Sequence, residues 1–143
     1  MHLLETKDLG IVFGGLQALN DLHLAVDAKE IVGLIGPNGA GKTTVFNLLT
    51  GVYAPSGGAI RLEGQSILGK KPFQINRTGV ARTFQNIRLF KHMTVADNIK
   101  LAMNQNMKYN VVSGMLRLPS YWKEERAIDR KARELLAIFD MED

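Results

Sequence analysis

Hydrophobic and polar positions alternate along the first part of the chain in segments that predict short strands. The segment Leu3–Phe13 has this character, and Leu22–Val26 alternates as a half-buried antiparallel strand does. Ala59–Glu63 follows a turn-forming segment, Pro55–Gly58, and predicts a further strand. In the first strand, strict alternation would place on one face Leu3, Glu5, Lys7 and Leu9.

A short uninterrupted apolar run lies between these strands. Ile31–Ile35 is bounded by Glu30 and by glycine, which is typical of a buried parallel strand. Apolar residues then recur at helical spacing within Lys42–Thr50, and Gly51 is placed to end that helix. Strand, glycine-rich loop and helix in this order predict an α/β core, with the alternating strands forming an antiparallel β layer beside it.

The second half of the chain predicts mostly helices. Pro72 is suited to a first helical position and predicts a short helix to Arg77, after which Val80–Gln85 predicts a strand. Thr94 is a suitable N-cap for a helix from Val95 towards Met107.

A last helix follows a segment that predicts a loop. Asn110–Ser120 contains glycine and proline and predicts irregular structure. From Lys123 onwards, apolar residues recur at spacings of three and four along the chain, which indicates one amphipathic helix. Its apolar positions are Ile128, Ala132, Leu135, Leu136 and Phe139.

The loop between the apolar run and its helix carries a phosphate-binding motif. Gly36–Thr43 matches the pattern G-x-x-x-x-G-K-[ST]. Its glycines allow a tight turn whose N–H groups point inward at phosphate oxygens, and the following helix adds its positive N-terminal end. Lys42 would reach the β- and γ-phosphates, and the Thr43 hydroxyl would ligate Mg²⁺. The alternative is a chance match, which the flanking strand and helix patterns argue against.

Composition and charge exclude several classes of protein. The chain has 143 residues, 45% of them hydrophobic, and no cysteine, which removes disulfides, thiolate catalysis and zinc fingers. The net charge of +4 is uneven, because a basic excess falls within residues 61–92. This excess suits nucleic acid or an anionic membrane, or else an ordinary solvated face. Since aromatic residues are not interleaved with the basic ones, we expect no nucleic-acid partner.

Five stretches together resemble the ATP-binding subunits of ABC transporters. In that family they correspond to the adenine loop, the Walker A loop, a turn into the next strand, the Q-loop and the run after it. These stretches are Phe13–Ala18, Gly36–Thr44, Pro55–Ile60, Arg82–Asn86 and Leu89–Asn98. The resemblance implies a P-loop NTPase core of α/β class with an antiparallel β subdomain. It also implies that residues 1–143 form the N-terminal part of one ABC ATP-binding domain.

Three details resemble the subfamily that serves high-affinity uptake of branched-chain amino acids. They are the loop that begins at Phe13, the stretch Val80–Phe90, and the insertion Val112–Ser120. The insertion is the most diagnostic, because the ABC core does not require it. Three other interpretations of the sequence stay open. They are an ABC ATPase for another solute, a soluble ABC ATPase acting on nucleic acid or ribosomes, and a nucleotide-binding module that does not hydrolyse ATP.

The resemblance implies roles for particular residues. Phe13 would stack on adenine, although a core phenylalanine at a strand end is the alternative, and Ala18 would line the same pocket. Gln85 would complete the Mg²⁺ shell with Thr43 and act with Lys42 in catalysis, although a lone glutamine is commonly a surface residue. The implied nucleotide-binding set is Phe13, Ala18, Gly36, Pro37, Asn38, Gly39, Ala40, Gly41, Lys42, Thr43 and Thr44.

The resemblance also implies partners and a location. A second ATP-binding subunit, identical or related, would face the nucleotide, and Asn86–Val95 would contact membrane permease subunits. A periplasmic amino-acid-binding protein would act indirectly. The protein would lie at the cytoplasmic face of the cell membrane as a peripheral subunit.

Parts of the ABC pattern do not occur in the sequence. We find no Leu-Ser-Gly-Gly-Gln-type signature and no apolar strand ending in Asp-Glu. Val112–Gly114 resembles part of a signature but lies in the insertion, and Leu135–Asp140 continues a helical period, so that neither replaces them. We therefore expect a truncated domain that binds ATP and does not hydrolyse it, because the carboxylate that orients the attacking water is missing.

Overall fold

The computed structural model describes residues 2–85, 89–103 and 111–141. It divides the chain into two compact units, Met1–Thr83 and Phe84–Asp143. Each unit is described by itself.

An antiparallel sheet forms one layer of the first unit. Its four strands are β1 (Leu4–Phe13), β2 (Leu16–Val26), β3 (Gly57–Leu62) and β4 (Gln65–Ser66), in the order β2-β1-β3-β4. A two-residue turn, Gly14-Gly15, joins β1 to β2, and both glycines have positive φ, as tight hairpins favour. The predicted antiparallel strands are thus confirmed.

A bulge in β1 is stabilised by one buried hydroxyl. The pairing of β1 with β2 shifts between Thr6 and Leu9, and Asp8 in that interval has a φ of 49°. Thr6 Oγ1 donates to the Leu22 carbonyl at 3.0 Å and accepts from the Leu24 N–H at 2.9 Å. The hydroxyl therefore bridges two backbone groups of β2, which is why a polar side chain can lie buried there.

The bulge also changes which residues of β1 face the core. The buried residues of this strand are Thr6, Leu9 and Ile11. Thr6 and Leu9 are three residues apart, because the extra residue of a bulge breaks the period of two. The predicted common face of Leu3, Glu5, Lys7 and Leu9 is therefore wrong: Lys7 is exposed, whereas Leu9 is buried.

Helix α1 (Lys42–Leu49) follows the glycine-rich loop and ends at the predicted stop. The Gly51 N–H donates to the Leu48 carbonyl at 3.1 Å, and the Val52 N–H donates to the Asn47 carbonyl at 2.9 Å. These two bonds form a Schellman motif, which requires the left-handed φ of 70° that Gly51 adopts. A Cβ at Gly51 would also lie 2.7 Å from Ile75 Cδ1, so that glycine is required for packing as well.

One hydrophobic core joins the sheet to α1 and to helix α2 (Pro72–Arg77). The helices contribute four of its buried residues, three of them from α1. The core consists of Leu9, Ile11, Val45, Leu48, Leu49, Ile60, Ile67 and Ile75. Burying each such side chain stabilises the fold by about 1.5–3 kcal/mol. The α1 backbone, and with it the loop at its N-terminus, is thereby fixed against the sheet.

Two predicted strands are wrong. Ile31–Ile35 lies outside any helix or strand, and the side chains of Ile31 and Ile35 are 99% and 95% exposed. Val80–Gln85 likewise has no strand structure. A strand exists only by hydrogen bonding to a neighbour, and the sheet of the described residues does not include either segment. Their apolar composition alone could not supply that neighbour.

Three helices form the described part of the second unit. They are α3 (Val95–Met103), α4 (Val111–Met115) and α5 (Pro119–Ala137). Thr94 caps α3 as predicted, since its Oγ1 accepts from the Asp97 N–H at 3.1 Å. The predicted continuation of α3 to Met107 lies outside the described residues beyond Met103.

The predicted loop Asn110–Ser120 is wrong in two places. Residues Val111–Met115 form α4, and α5 begins at Pro119 rather than Lys123. Asn110 itself lies outside the described residues. Proline suits the first turn of a helix, where its missing N–H costs nothing, and the prediction treated it only as a breaker. The end of α5 at Ala137 agrees with the interpretation of Leu135–Asp140 as a helix end.

An ion-pair cluster connects α3 with α5. Asp129 bonds to the Lys100 ammonium, and Arg133 Nε donates to Asp129 Oδ2 at 3.0 Å. The hydrogen bonds from Lys100 and then from Arg133 lower the pKa of Asp129. Because the folded-state pKa is lowered, the contribution of these Asp129 contacts to stability is present above the unfolded-state pKa. It is lost as the pH falls through the folded-state pKa. Because the carboxylate is exposed, solvent screens the contribution.

No helix of the described residues is both long enough and apolar enough to cross a bilayer.

A glycine of β3, Gly58, lies against the bulge of β1. A Cβ at Gly58 would lie 2.3 Å from the Asp8 carbonyl oxygen and 2.6 Å from Leu9 Cα, and Gly58 has a φ of 89°. We expect Gly58→Ala to lower the free energy of unfolding by about 2 kcal/mol or more, measured by urea denaturation.

Gly57→Ala is the matched control, because a Cβ at Gly57 meets no atom within 4 Å. We expect it to leave the urea midpoint nearly unchanged. Equal midpoints for the two variants would contradict the close approach of β3 to the bulge.

Candidate functional site

The glycine-rich loop (residues 36–41) is held close to strand β2. Gly39 and Gly41 have φ values of 85° and 87°. A Cβ at Gly41 would lie 3.1 Å from the Ala18 carbonyl oxygen. The loop therefore turns in a conformation that favours glycine, and it passes the β2 backbone at a distance that leaves little room for a side chain.

The Lys42 ammonium is bound by the loop itself. Its Nζ donates to the Gly36 carbonyl at 2.6 Å and to the Pro37 carbonyl at 2.7 Å. A turn inside the loop, with the Ala40 N–H donating to the Pro37 carbonyl at 3.2 Å, sets the position of these acceptors. A positive charge is thus held at the mouth of the loop beside the first turn of α1.

The N-terminus of α1 leaves backbone donors available. Gly41 occupies the N-cap position and provides no side-chain cap, and the first turn contains no acidic residue. The first intrahelical bond runs from the Val45 N–H to the Gly41 carbonyl at 2.9 Å. The N–H groups of Lys42, Thr43 and Thr44 therefore belong to the unpaired donors of a helix start, where the helix dipole also favours an anion.

A cleft opens between the loop, the start of α1 and strand β2. Its volume is ≈ 430 Å³, which is within the range of small-molecule sites. Its lining consists of Leu16, Gln17, Ala18, Asn38, Gly39, Gly41, Lys42, Thr43 and Thr44. The structure therefore brings seven of the predicted nucleotide-binding residues into one cleft, together with a positive charge and helix-start donors.

The remaining predicted loop residues lie beside this cleft. Gly36 and Pro37 accept the hydrogen bonds from Lys42. The Ala40 Cβ would lie 3.2 Å from a Cβ placed on Gly36, so that these two residues face each other across the loop. Their backbones shape the loop, and the lining of the cleft comes from their neighbours.

Phe13, predicted to stack on adenine, packs on another aromatic ring. The centroids of Phe13 and Tyr53 are 5.2 Å apart with an interplanar angle of 75°, an edge-to-face arrangement. Phe13 is 40% exposed and is not among the cleft-lining residues. Because Phe13 is partly exposed, the alternative of a buried core phenylalanine does not describe its position, and the adenine role stays a prediction.

Gln85 lies at the start of the second unit and is exposed. Its predicted roles toward Mg²⁺ and in catalysis therefore stay predictions.

The stretch predicted to contact a permease begins with three residues, Asn86, Ile87 and Arg88, that lie outside the described residues. The rest of it presents exposed apolar side chains around a turn stabilised by Asn98. This side chain accepts from the Phe90 N–H at 3.0 Å and donates to the Thr94 carbonyl at 2.9 Å. The exposed apolar residues are Leu89, Phe90, Met93 and Val95.

Sequence reasoning assigned no role to two residues that line the cleft and missed one contact of α1. Leu16 and Gln17 line the cleft, and Leu16 could have been found, because it is two residues from Ala18 and so shares its face of β2. Arg82 Nη1 donates to Asn47 Oδ1 at 2.7 Å and so ties the segment after α2 to α1. No local signal predicts this contact, since 35 residues separate its partners.

Comparisons with known proteins agree with this geometry. A family model described as ABC transporter matches residues 19–143. The chain is 49% identical over 124 residues to the high-affinity branched-chain amino acid transport ATP-binding protein BraF of Pseudomonas aeruginosa, covering 87% of this chain and 49% of BraF. It is 50% identical over 131 residues to LivG of Escherichia coli, which carries the same description, covering 91% of this chain and 51% of LivG.

A solved structure shares the fold. It is the ADP conformation of an ATP-binding cassette of an ABC transporter, with a TM-score of 0.76 and 29% identity, covering 99% of this chain and 55% of that one. The chain thus spans about half the length of the relatives it matches. Because the family model covers most of the chain and the cleft has the loop geometry of the motif, this chain belongs to the ABC transporter ATP-binding family and has its P-loop ATPase fold.

Proposed function

We propose that this chain carries the nucleotide-binding part of an ATP-binding subunit that powers import of branched-chain amino acids. The observation that carries the ATP assignment is the cleft in which the loop, the α1 N-terminus and Lys42 meet strand β2. The solute class comes from BraF and LivG, whose descriptions name branched-chain amino acid transport. The insertion Val112–Ser120 supports the same subfamily.

The phosphates of ATP would be held at the loop. The N–H groups at the start of α1 donate to phosphate oxygens, and the dipole of the helix stabilises their charge. Lys42 exchanges its two carbonyl acceptors, Gly36 and Pro37, for phosphate oxygens. Since both partners of that new contact are charged, it is stronger than the neutral carbonyl bonds it replaces.

Thr43 is the residue of the cleft that would hold Mg²⁺, and the family resemblance implies the same role for Gln85. Thr43 is exposed at the cleft, and its hydroxyl is a hard oxygen ligand of the kind this ion prefers. Bound Mg²⁺ would neutralise charge that develops on the β- and γ-phosphates. The chain's own contribution at this point is to orient the phosphates with backbone donors and Lys42.

The base and ribose would lie against strand β2. Ala18 and Leu16 present apolar surface to the cleft, and Phe13 is the last residue of the neighbouring strand β1. An aromatic ring with a free face can stack on a purine, and an aliphatic neighbour excludes water from the other side.

The partners follow from the same assignment. The exposed apolar turn Leu89–Met93 would contact the permease, because exposed apolar residues on a turn fixed by Asn98 supply anchors for a partner helix. A second ATP-binding subunit would supply the groups that complete the nucleotide site, and a periplasmic binding protein would deliver the solute. The complex would place this chain at the cytoplasmic face of the cell membrane.

Removal of the Lys42 charge tests the cleft. We expect Lys42→Ala to weaken binding of a fluorescent ATP analogue with Mg²⁺ by at least about tenfold, because a charge-assisted contact is lost. Fluorescence titration of the chain measures this. Lys29→Ala is the control, since Lys29 is exposed and does not line the cleft. Equal affinities for the two variants would place the nucleotide elsewhere.

A phosphate-release assay tests whether this chain hydrolyses ATP. We expect no steady release above that of Lys42→Ala, because no carboxylate that orients the attacking water occurs after an apolar strand. Turnover by the unmodified chain that disappears in Lys42→Ala would contradict this expectation, while leaving the binding assignment intact.

The adenine role of Phe13 is tested by comparing two ligands. We expect Phe13→Ala to weaken ATP binding by about fivefold or more, the order of one lost stacking interaction, and to leave tripolyphosphate binding unchanged. Competition with the fluorescent analogue measures both. Phe13→Tyr keeps the ring and should bind ATP normally. A parallel loss for both ligands would indicate that Phe13 supports the fold through Tyr53 instead.

A further inference from the structure

Helix α5 contains five basic and four acidic residues, and the basic ones are the more exposed. All of its basic residues are exposed, and Lys123, Arg126, Arg130 and Arg133 follow one another at spacings of three and four. The acidic residue Glu134 is exposed beside them. The other acidic residues of the helix, Glu124, Glu125 and Asp129, are partly buried, and Asp129 bonds both to Lys100 and to Arg133 at the edge of the basic face. The basic face consists of Lys123, Arg126, Arg130, Lys131 and Arg133.

An exposed apolar segment adjoins the first turn of this helix. Met115 is 80% exposed and Leu116 is 67% exposed, and Leu118 and Trp122 are also exposed. The segment is fixed: the Arg117 N–H donates to the Gly114 carbonyl at 3.3 Å, and the Leu118 N–H donates to the Ser113 carbonyl at 3.1 Å. Apolar side chains held outward in this way cost free energy in water and usually mark a binding surface.

The Trp122 ring is positioned at the boundary between the two features. It packs edge-to-face on Tyr121, with centroids 5.3 Å apart. Lys123 and Arg126 follow it within the next turn. An indole between aliphatic residues and cationic ones is the arrangement found where a helix lies in a membrane interface, because the ring is apolar and its N–H is polar.

We propose that Met115–Leu118, Trp122 and the basic face of α5 bind the surface of an anionic lipid bilayer, with α5 lying in the plane of the interface. The aliphatic residues enter the acyl boundary, and the basic residues pair with lipid phosphates. A nucleic acid would supply phosphates for the basic residues but no apolar environment for Met115 and Leu116. An anionic bilayer supplies both the phosphates and the apolar environment. This inference goes beyond nucleotide binding and involves no residue of the cleft.

The test uses Trp122, which is the only tryptophan of the chain. Its emission is recorded while the 143-residue chain is titrated with vesicles of phosphatidylcholine alone, or of phosphatidylcholine with about one third phosphatidylglycerol. We expect a blue shift with the anionic vesicles only, and a weaker response as salt is raised, since surface charges are screened. A shift that is equal for both vesicle types, or absent from both, would overturn the proposal.

Two double variants separate the contribution of the basic residues to vesicle binding from that of the apolar residues. We expect Arg126→Glu with Arg130→Glu to lower the affinity for anionic vesicles more than about tenfold, because two positive charges at the surface become negative. Met115→Ser with Leu116→Ser should abolish the blue shift by removing the apolar anchor. Lys7→Glu with Lys29→Glu is the matched control, because it changes net charge equally at exposed positions of the first unit.

The Lys7/Lys29 control pair tests whether vesicle binding depends on net charge alone. Equal loss of binding in the control pair and in the Arg126/Arg130 pair would show a response to net charge alone and would overturn the proposal. Far-ultraviolet circular dichroism verifies that each variant keeps its helices. The vesicle assay contains no nucleotide, and the nucleotide assays contain no lipid, so that failure of either proposal leaves the other standing.

Discussion

The packing of helix α1 against the antiparallel sheet is the constraint on which the nucleotide cleft depends. Val45, Leu48 and Leu49 are buried against Leu9 and the other core residues of the sheet. This burial fixes the axis of α1, and the axis fixes where its N-terminal donors and Lys42 point. A loop of glycines has little conformational preference of its own, so that the helix and the strand β2 beside it set its shape.

The sheet that supports α1 contains a bulge in strand β1. The bulge at Asp8 brings Thr6, Leu9 and Ile11 inward, and the Thr6 hydroxyl bonds to two backbone groups of β2. Gly58 is the matching feature on β3, where the backbone of β1 approaches too closely for a side chain. Bulges bend and twist a sheet, and here the bend lies beneath the core that carries α1.

In the second unit, folding exposes the basic residues of α5 more than the acidic ones. Along the chain, its five basic and four acidic residues are interspersed, so that the sequence shows only a small excess of positive charge. Folding partly buries Glu124, Glu125 and Asp129 and leaves the basic residues exposed. Asp129 bonds to Lys100 of α3 and to Arg133 of α5, and because its carboxylate is exposed, solvent screens both contacts.

The sequence by itself determined the features that depend on local chemistry. The loop Gly36–Thr43, the stop at Gly51 and the cap at Thr94 follow from glycine conformations and side-chain hydrogen bonds within a few residues, and all three were predictable. So were the antiparallel strands and, through motifs, the family. Tertiary structure alone decided whether the apolar run Ile31–Ile35 becomes a strand, because a strand needs a neighbour that no local pattern supplies. It also decided the bulge, the contact of Arg82 with Asn47, and the cationic face of α5, since each depends on residues brought together by folding.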